Sequence, residues 1–250
     1  MKKRIAIALW LPLACAAASV GAARVQTADE VMDKHLAALG GRDALAKLTS
    51  RKSTGTATLA AQGGELSGPY ESYNKAPNKS RVYIKFDTAA LGGPGDMIID
   101  QRFDGTSGYV SNSLQGDTEM AGNQLDNMRN GAFPSSMLKY KEMGLKAEVL
   151  AREKVDGKDA IVVQFTPKAG STSRVYFDPD TYLVMKSVAK VISAQMGEFE
   201  QTVTPSDFRV VDGVKVPFQV VNTSPVQSLT VKLTKVEHNL PLDDAMFVRK

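Results

Sequence analysis

Along most of the chain apolar and polar residues alternate, and this period of two constrains the fold more than any other feature. The alternation is clearest in segments 81–86, 160–165, 214–220 and 228–233, where Val, Ile, Leu or Phe recurs at every second position. Successive side chains of a β-strand point to opposite faces of its sheet. These segments therefore predict strands with one buried face.

Turn signals separate the strands, and three of them are Asp-Gly pairs, at residues 104–105, 156–157 and 212–213. Asp-Gly favours the positive φ angles of a tight hairpin turn. A catalytic carboxylate would need burial or a charged partner to shift its pKa, so we interpret the three aspartates as turn residues. The segments between turns predict about eleven strands, mostly paired with sequence neighbours and therefore antiparallel.

Helical spacing precedes the strands. Thr27 and Glu30 have the spacing of a capping box, in which each side chain accepts a hydrogen bond from the backbone of the other residue. An apolar stripe follows at Val31, Met32, His35, Leu36 and Leu39. Two glycines after this stripe predict the end of the helix, because glycine adopts a left-handed cap without steric cost. A short second helix is expected at 42–48.

A segment without alternation, residues 119–143, interrupts the strand pattern. Met120, Gln124, Leu125 and Met128 fit one helical face, and Pro134 favours a second short helix after it. We expect this methionine-rich insert to lie across one face of the sheet.

Segment 183–192 predicts a strand that is apolar on both faces. Leu183, Met185, Ala189 and Val191 share one parity, while Val184, Val188 and Ile192 share the other. Such a strand needs cover on both sides. One cover would be the core beneath the helices or a bound apolar ligand.

Residues 1–22 have the pattern of a secretory signal peptide, with a cationic start and an apolar run too short to span a bilayer. We expect residues 23–250 to form a single exported domain. The only cysteine, Cys15, lies in this leader. Lipid attachment at Cys15, giving an anchored outer-membrane form, is the less favoured alternative, because Pro12 stands where lipoprotein signals have a branched aliphatic residue.

Charge and histidine content limit the function classes. Without Lys2, Lys3 and Arg4 of the leader, the 31 basic residues become 28 against 27 acidic ones, a balance of +1, which argues against nucleic acid as a partner. His35 and His238 are the only histidines. A cation site at His238, with Glu237, Asp243 and Asp244 nearby, is the weaker interpretation, because a second histidine at ligand spacing is missing. We expect no enzyme activity, no cofactor and no metal.

Several motifs together resemble exported bacterial proteins of the outer-membrane lipoprotein-sorting type, the LolA/LolB-like superfamily. They are "HLAALGGRDALAKL", "QRFDGTSGYV", "REKVDGKDAIVVQF", "RVYFDPDTYLVMK", "SDFRVVDGVKVPFQV" and "VKLTKVEHNLPLDDAMF". The resemblance implies a mainly β fold: a strongly curved, incompletely closed antiparallel barrel of about eleven strands, covered by helices. It further implies an apolar cavity that holds acyl chains, with no reaction catalysed.

The leading hypothesis is thus a periplasmic carrier or sensor for an apolar, acylated or lipid-like ligand, with a lipid, an acyl chain or a lipoprotein as partner and an envelope membrane protein as a further one. The expected cavity residues are Val82, Ile84, Phe86, Ile99, Phe103 and Met185, with Met120, Leu125, Met128 and Met137 in a movable lid. A structural module of the envelope without a cavity is the alternative. A hydrolase is the least favoured class.

Overall fold

The computed structural model describes residues 26–93, 95–193 and 197–249. The predicted leader and Cys15 lie outside the described residues. The described helices are α1 (Ala28–Ala38), α2 (Arg42–Ala46) and α3 (Gly122–Arg129), with short 3-10 helices at Ala89–Leu91, Ser136–Leu138 and Asp244–Met246.

Fourteen strands are described. They are β1 (Ser50–Ala61), β2 (Gly64–Lys75), β3 (Lys79–Asp87), β4 (Asp96–Phe103), β5 (Gly108–Asn112), β6 (Gly116–Glu119), β7 (Lys146–Val149), β8 (Glu153–Val155), β9 (Lys158–Thr166), β10 (Ser173–Phe177), β11 (Val184–Ser193), β12 (Gly197–Val211), β13 (Val214–Thr223) and β14 (Gln227–His238).

The strands form one antiparallel sheet in the order β6-β5-β4-β3-β2-β1-β14-β13-β12-β11-β10-β9-β7, with β8 paired to β9. The first and last long strands, β1 and β14, pair with each other in its middle. Because β6 and β7 end the order, the sheet does not close into a barrel. The predicted mainly β, incompletely closed antiparallel fold is confirmed. Strands as short as β6 and β8, with four and three residues, show no readable alternation, which explains why about eleven were expected.

The Asp-Gly pairs turn the chain as predicted, in two different ways. At 156–157 the φ angles are 49° and 81°, and at 212–213 they are 51° and 81°, so each pair forms a two-residue hairpin turn. Asp104 instead begins a four-residue loop. Its carboxylate accepts hydrogen bonds from the amides of Thr106 and Ser107, both at 2.8 Å.

Helix α1 covers one face of the sheet, and its capping box is formed as predicted. Val31 and Met32, both fully buried, pack on Val163 of β9 and Phe177 of β10. One turn later, Leu36 packs with the α2 region and β13 in a second cluster. Each fully buried side chain of this kind contributes roughly 1.5–3 kcal/mol, so α1 is firmly attached to the sheet.

The hairpin at 212–213 provides a test of the turn assignment. Gly213→Ala should lower the free energy of unfolding by about 1–2 kcal/mol, because alanine is strained in the left-handed region that Gly213 occupies at φ 81°. Gly63→Ala is the matched control, since a Cβ atom at Gly63 meets nothing within 4 Å and its φ is not positive. Chemical denaturation of both variants measures the difference. Equal stabilities would contradict the assignment.

Candidate functional site

The candidate site lies on the face of the sheet that α1 covers, which we call the inner face. It carries Ile161, Val163 and Phe165 of β9. The strand register continues this face from Phe165 to Ser173 of β10, Ala189 of β11 and Gln201 of β12. The outer face of β9 carries Ala160 and Val162, which pack with Val155 of β8.

The segment between β6 and β7, residues 120–145, corresponds to the insert predicted at 119–143. Its second half packs on the inner face through Met137, Tyr140 and Leu145, and its first half is held mainly by polar contacts. Helix α3 has no buried residue. The Arg129 guanidinium donates to the carbonyl of Thr106 at 3.0 and 3.2 Å, and the amide of Phe133 donates to the carbonyl of Pro77 at 2.8 Å. The Asn130 amide donates to the carbonyl of Ala169 at 2.7 Å. The insert is thus attached to loops at the rim of the sheet by hydrogen bonds.

The far end of the insert is attached to helix α1 through Asp29. Its carboxylate accepts hydrogen bonds from the Tyr140 hydroxyl and from Lys141, the latter at 2.6 Å. These two partners, led by Lys141, hold the pKa of Asp29 below its usual value. Because Lys141 and Asp29 are solvent-exposed, their ion pair contributes little to stability.

A first cavity of about 380 Å³ lies between the insert and strands β9 to β12. Its apolar lining is Met137, Tyr140, Leu145, Phe165, Pro167, Val175, Val184, Ala189 and Val191. Its polar lining is Asn127, Asn130, Ser136, Ser171, Ser173, Ser187 and Gln201. The cavity therefore has an apolar floor with hydroxyl and amide groups at intervals.

A second cavity of about 560 Å³ lies on the other side of the insert, towards α2 and the β2–β3 turn. Leu48, Ala76 and Pro77 line it from the sheet side, and Phe133, Leu138 and Met143 line it from the insert. Consecutive residues of the insert thus face different cavities, with Met137 in the first and Leu138 in the second. The insert separates the two spaces.

Four of the residues predicted for the cavity come together away from these two spaces. Val82, Ile84, Phe86 and Ile99 belong to one apolar cluster of β1 to β4 and β14, centred on Ala57. We call it the distal cluster. Ile84 and Phe86 are buried, whereas Val82 and Ile99 are half-buried.

The other predicted residues are spread along the insert and the sheet. Phe103 and Met120 are buried, and a Cβ atom at Gly108 would lie 2.4 Å from the sulfur of Met120. Met128 accepts a hydrogen bond from Gln101 at 3.8 Å, and Leu125 is half-buried on α3. Met137 lines the first cavity.

Met185 lies on the outer face, where it packs against Val162 and Tyr176. The alternation in the sequence groups it with Ala189 and Val191, which line the first cavity. A register shift explains the difference: Val184 pairs with Phe177 and Lys186 with Tyr176, so Met185 is an extra residue in β11. A bulge of this kind changes which side chains face the core.

The polar residues in the first cavity were not expected from the sequence. Ser173, Ser187 and Gln201 look like solvent-facing residues of amphipathic strands. The available signal was the alternation of residues along each strand. Ser173 lies on the same face as Val175, and Ser187 lies on the same face as Ala189. Only strand pairing shows that these faces line one space.

Each histidine has a hydrogen-bond partner of its own among the described residues. The Nδ1 atom of His35 donates to the carbonyl of Tyr182 at 2.8 Å, and the ring packs edge-on against Phe177. His238 contacts Asp212 at 3.0 Å, while Asp244 is paired with Lys75 and Lys79. No group of three or more His, Cys, Asp or Glu residues with metal-binding geometry occurs within the described part of the chain.

Among the described residues, no helix combines the length and hydropathy that crossing a bilayer would require.

No family model and no curated protein matches this chain by sequence. Solved structures do match it. The LolA superfamily protein from Nitrosomonas europaea is 14% identical, with 90% of this chain and 98% of that chain aligned and a TM-score of 0.55. A DUF1329 family protein from Desulfovibrio piger is 14% identical over 88% and 96% of the two chains, with a TM-score of 0.56.

A putative outer membrane lipoprotein-sorting protein domain from Vibrio parahaemolyticus is 13% identical over 87% of this chain and 94% of its own, with a TM-score of 0.54. The resemblance that the sequence motifs indicated is confirmed at the level of the fold, which is LolA-like. At 13–14% identity these structures show the fold alone.

Burial of His35 lowers its pKa from the ordinary value of 6.5, because desolvation disfavours the imidazolium. As the pH falls below 6.5, the unfolded chain binds a proton before the folded chain does, so stability should decrease until the folded-state pKa is passed. His35→Asn, which keeps a donor for the Tyr182 carbonyl, should be less acid-sensitive. Denaturation at neutral and mildly acidic pH measures the slopes, and an unchanged slope would contradict this role.

Proposed function

We propose that this protein binds an apolar ligand with an acyl or other lipid-like chain in the space between the inner face and the insert, and that it carries or senses this ligand in the periplasm without catalysing a reaction. The observation that carries the proposal is the first cavity, about 380 Å³ in volume with an apolar floor of Phe165, Val175 and Val191. Ligand pockets in proteins typically measure about 300–1,000 Å³.

The energetics favour an acyl chain. Each methylene withdrawn from water contributes roughly 0.8 kcal/mol, so even a short segment of chain gains several kcal/mol in such a space. The seven polar side chains around the cavity are serine, asparagine and glutamine, which are uncharged. A chain can lie against them without having to desolvate an ion.

The insert acts as the lid of this site. Helix α3 buries no side chain and is held by hydrogen bonds to loops, so its local opening costs less than unfolding of the sheet. Because the insert separates the two cavities, its displacement joins them into one larger space. Met137, at the contact with the first cavity, suits ligands of different shape because its thioether chain is flexible.

The fold supports the same class of ligand. Solved structures with this fold include a protein described as a putative outer membrane lipoprotein-sorting protein domain, and a lipoprotein carries acyl chains. The predicted signal peptide agrees with a site of action in the periplasm. A purely structural role without a ligand would require neither cavity.

Filling the first cavity should abolish ligand binding selectively. Ala189→Trp places a large ring between Val175 and the insert, and it should weaken binding of the neutral fluorescent probe N-phenylnaphthylamine by at least about tenfold, or about 1.4 kcal/mol. Lys190→Trp adds the same side chain at the next, exposed position of β11 and should bind the probe normally. Fluorescence titration compares the variants, and equal affinities would place the binding site elsewhere.

Native mass spectrometry of the protein purified gently from its own periplasm tests the proposal as a whole. A copurifying lipid or acylated molecule is the expected result. An empty protein that also fails to bind the neutral probe would overturn the proposed function and favour a structural module.

A further inference from the structure

Two buried polar side-chain atoms have no hydrogen-bond partner in the described part of the chain: Nε of Arg51 and Nε2 of His238. They belong to residues that lie directly opposite each other, Arg51 on β1 and His238 on β14. Directly opposite residues of an antiparallel pair have Cβ atoms about 4.5–5.5 Å apart and project from the same face. The two unsatisfied nitrogen atoms therefore belong to side chains that are neighbours on one face of the sheet.

Arg51 carries a positive charge that no carboxylate among the described residues balances. Its guanidinium carbon lies 5.6 Å from the centre of the Phe133 ring in the insert, and Tyr70 of β2 interacts with it electrostatically. Burial lowers the pKa of Arg51, which expresses the cost of keeping its charge there. Desolvation of an unpaired cation destabilises the folded chain, whereas an anion bound beside it would offset much of that cost.

The orientation of His238 leaves its Nε2 atom without a hydrogen-bond partner among the described residues. Its side chain is 1% exposed, and Nδ1 lies 3.0 Å from a carboxylate oxygen of Asp212. Because an ionised carboxylate can only accept, Nδ1 carries the hydrogen of this bond. When the ring carries a hydrogen on both nitrogen atoms, Nε2 is a second donor.

The pair lies on the inner face, in line with the distal cluster. Arg51 and Ala57 are an even number of residues apart along β1, so they project from the same face. The bulge between β1 and β14 adds a residue to β14 and does not change this face of β1. Over these six residues the strand rises about 20 Å. On the inner face, the donors of Arg51 and His238 thus lie near the start of β1, and the half-buried apolar side chains around Ala57 lie further along the strand.

The opposite face of β1 does not supply a partner for Arg51. Ser50, the neighbouring residue, projects to that face, where its hydroxyl donates to the carbonyl of Leu240 at 2.7 Å. The carboxyl-terminal segment therefore packs on the other side of the strand. On the inner side Phe133 covers the guanidinium, and Phe133 also lines the second cavity.

We propose that Arg51 and His238 form a subsite for one anionic group, a carboxylate or a phosphate, at the head of the apolar ligand. The inference rests on the proposed function and narrows the ligand to an anionic amphiphile. The guanidinium donates two parallel hydrogen bonds to the oxygens of the anion, and Nε2 of His238 donates a third. The chain of the ligand extends past Phe133 into the second cavity and, when the insert is displaced, on to the first cavity.

The test compares two displacing ligands that have the same acyl chain and differ in the charge of the head group. Dodecanoate and its methyl ester each compete with the neutral probe N-phenylnaphthylamine. The wild-type protein should prefer the acid by about tenfold or more, since hydrogen bonds to the charged carboxylate are stronger than those to the neutral ester. Arg51→Met should remove this preference while it retains affinity for the ester. Arg152→Met, which deletes the same charge at an exposed position, should retain the preference.

Dodecyl phosphate and inorganic phosphate distinguish the sources of the anion. If calorimetry shows that inorganic phosphate binds as tightly as dodecyl phosphate, the subsite is one for a free anion. That result would overturn the proposal of an amphiphilic ligand. Much tighter binding of dodecyl phosphate supports it. Equal displacement by dodecanoate and its ester in the wild-type protein would overturn the subsite and leave the apolar cavity intact.

Stability provides a second readout. Because Arg51→Met removes an unpaired buried charge, the variant should be at least as stable as the wild type, whereas loss of a structural arginine would lower stability. If the probe does not bind even the wild-type protein, the proposed function fails. The subsite is then tested by calorimetry with inorganic phosphate alone. If the heat of phosphate binding persists in Arg51→Met, the subsite is contradicted.

Discussion

The pairing of β1 with β14 is the interaction on which the rest of the structure depends. It joins two series of hairpins, β1 to β6 and β7 to β14, into one continuous sheet with a common inner face. Without this ladder, the apolar side chains of β1 to β4 and those of β9 to β13 would belong to separate small sheets, each with an uncovered face. The same ladder brings Arg51 and His238 together.

The molecule divides its stabilising interactions unequally. Helix α1 is attached by fully buried apolar side chains such as Met32 and Leu36, and these contacts set a firm boundary to the inner face. The first half of the insert, helix α3, buries no side chain and is attached to loops by hydrogen bonds such as those of Arg129 and Asn130, whereas Tyr140 in the second half packs into the core. A rigid floor and a cover that is weakly attached at helix α3 suit a binding site for chains of varying length.

Much of this arrangement could be predicted from local pattern. The capping box at Thr27 and Glu30, the alternation in β3 and β13 and the hairpin turn at 212–213 each depend on residues close in sequence. The position of Met185 could not be predicted, because the extra residue in β11 is defined only by its pairing with β10. The lining of the first cavity by Ser187 and Gln201 likewise follows from register across strands.

By itself the sequence determined the class of structure: a long antiparallel sheet, a capped amphipathic helix before it and a methionine-rich insert within it, because these follow from periods of two and 3.6 residues and from turn chemistry. Only the tertiary structure decided which residues share a space. In the sequence Arg51 stands in a strand with other basic residues, and His238 stands beside a glutamate and indicated only a weak cation site. Their role arises because one nitrogen atom of each side chain is buried without a hydrogen-bond partner, which depends on what the rest of the chain places around them.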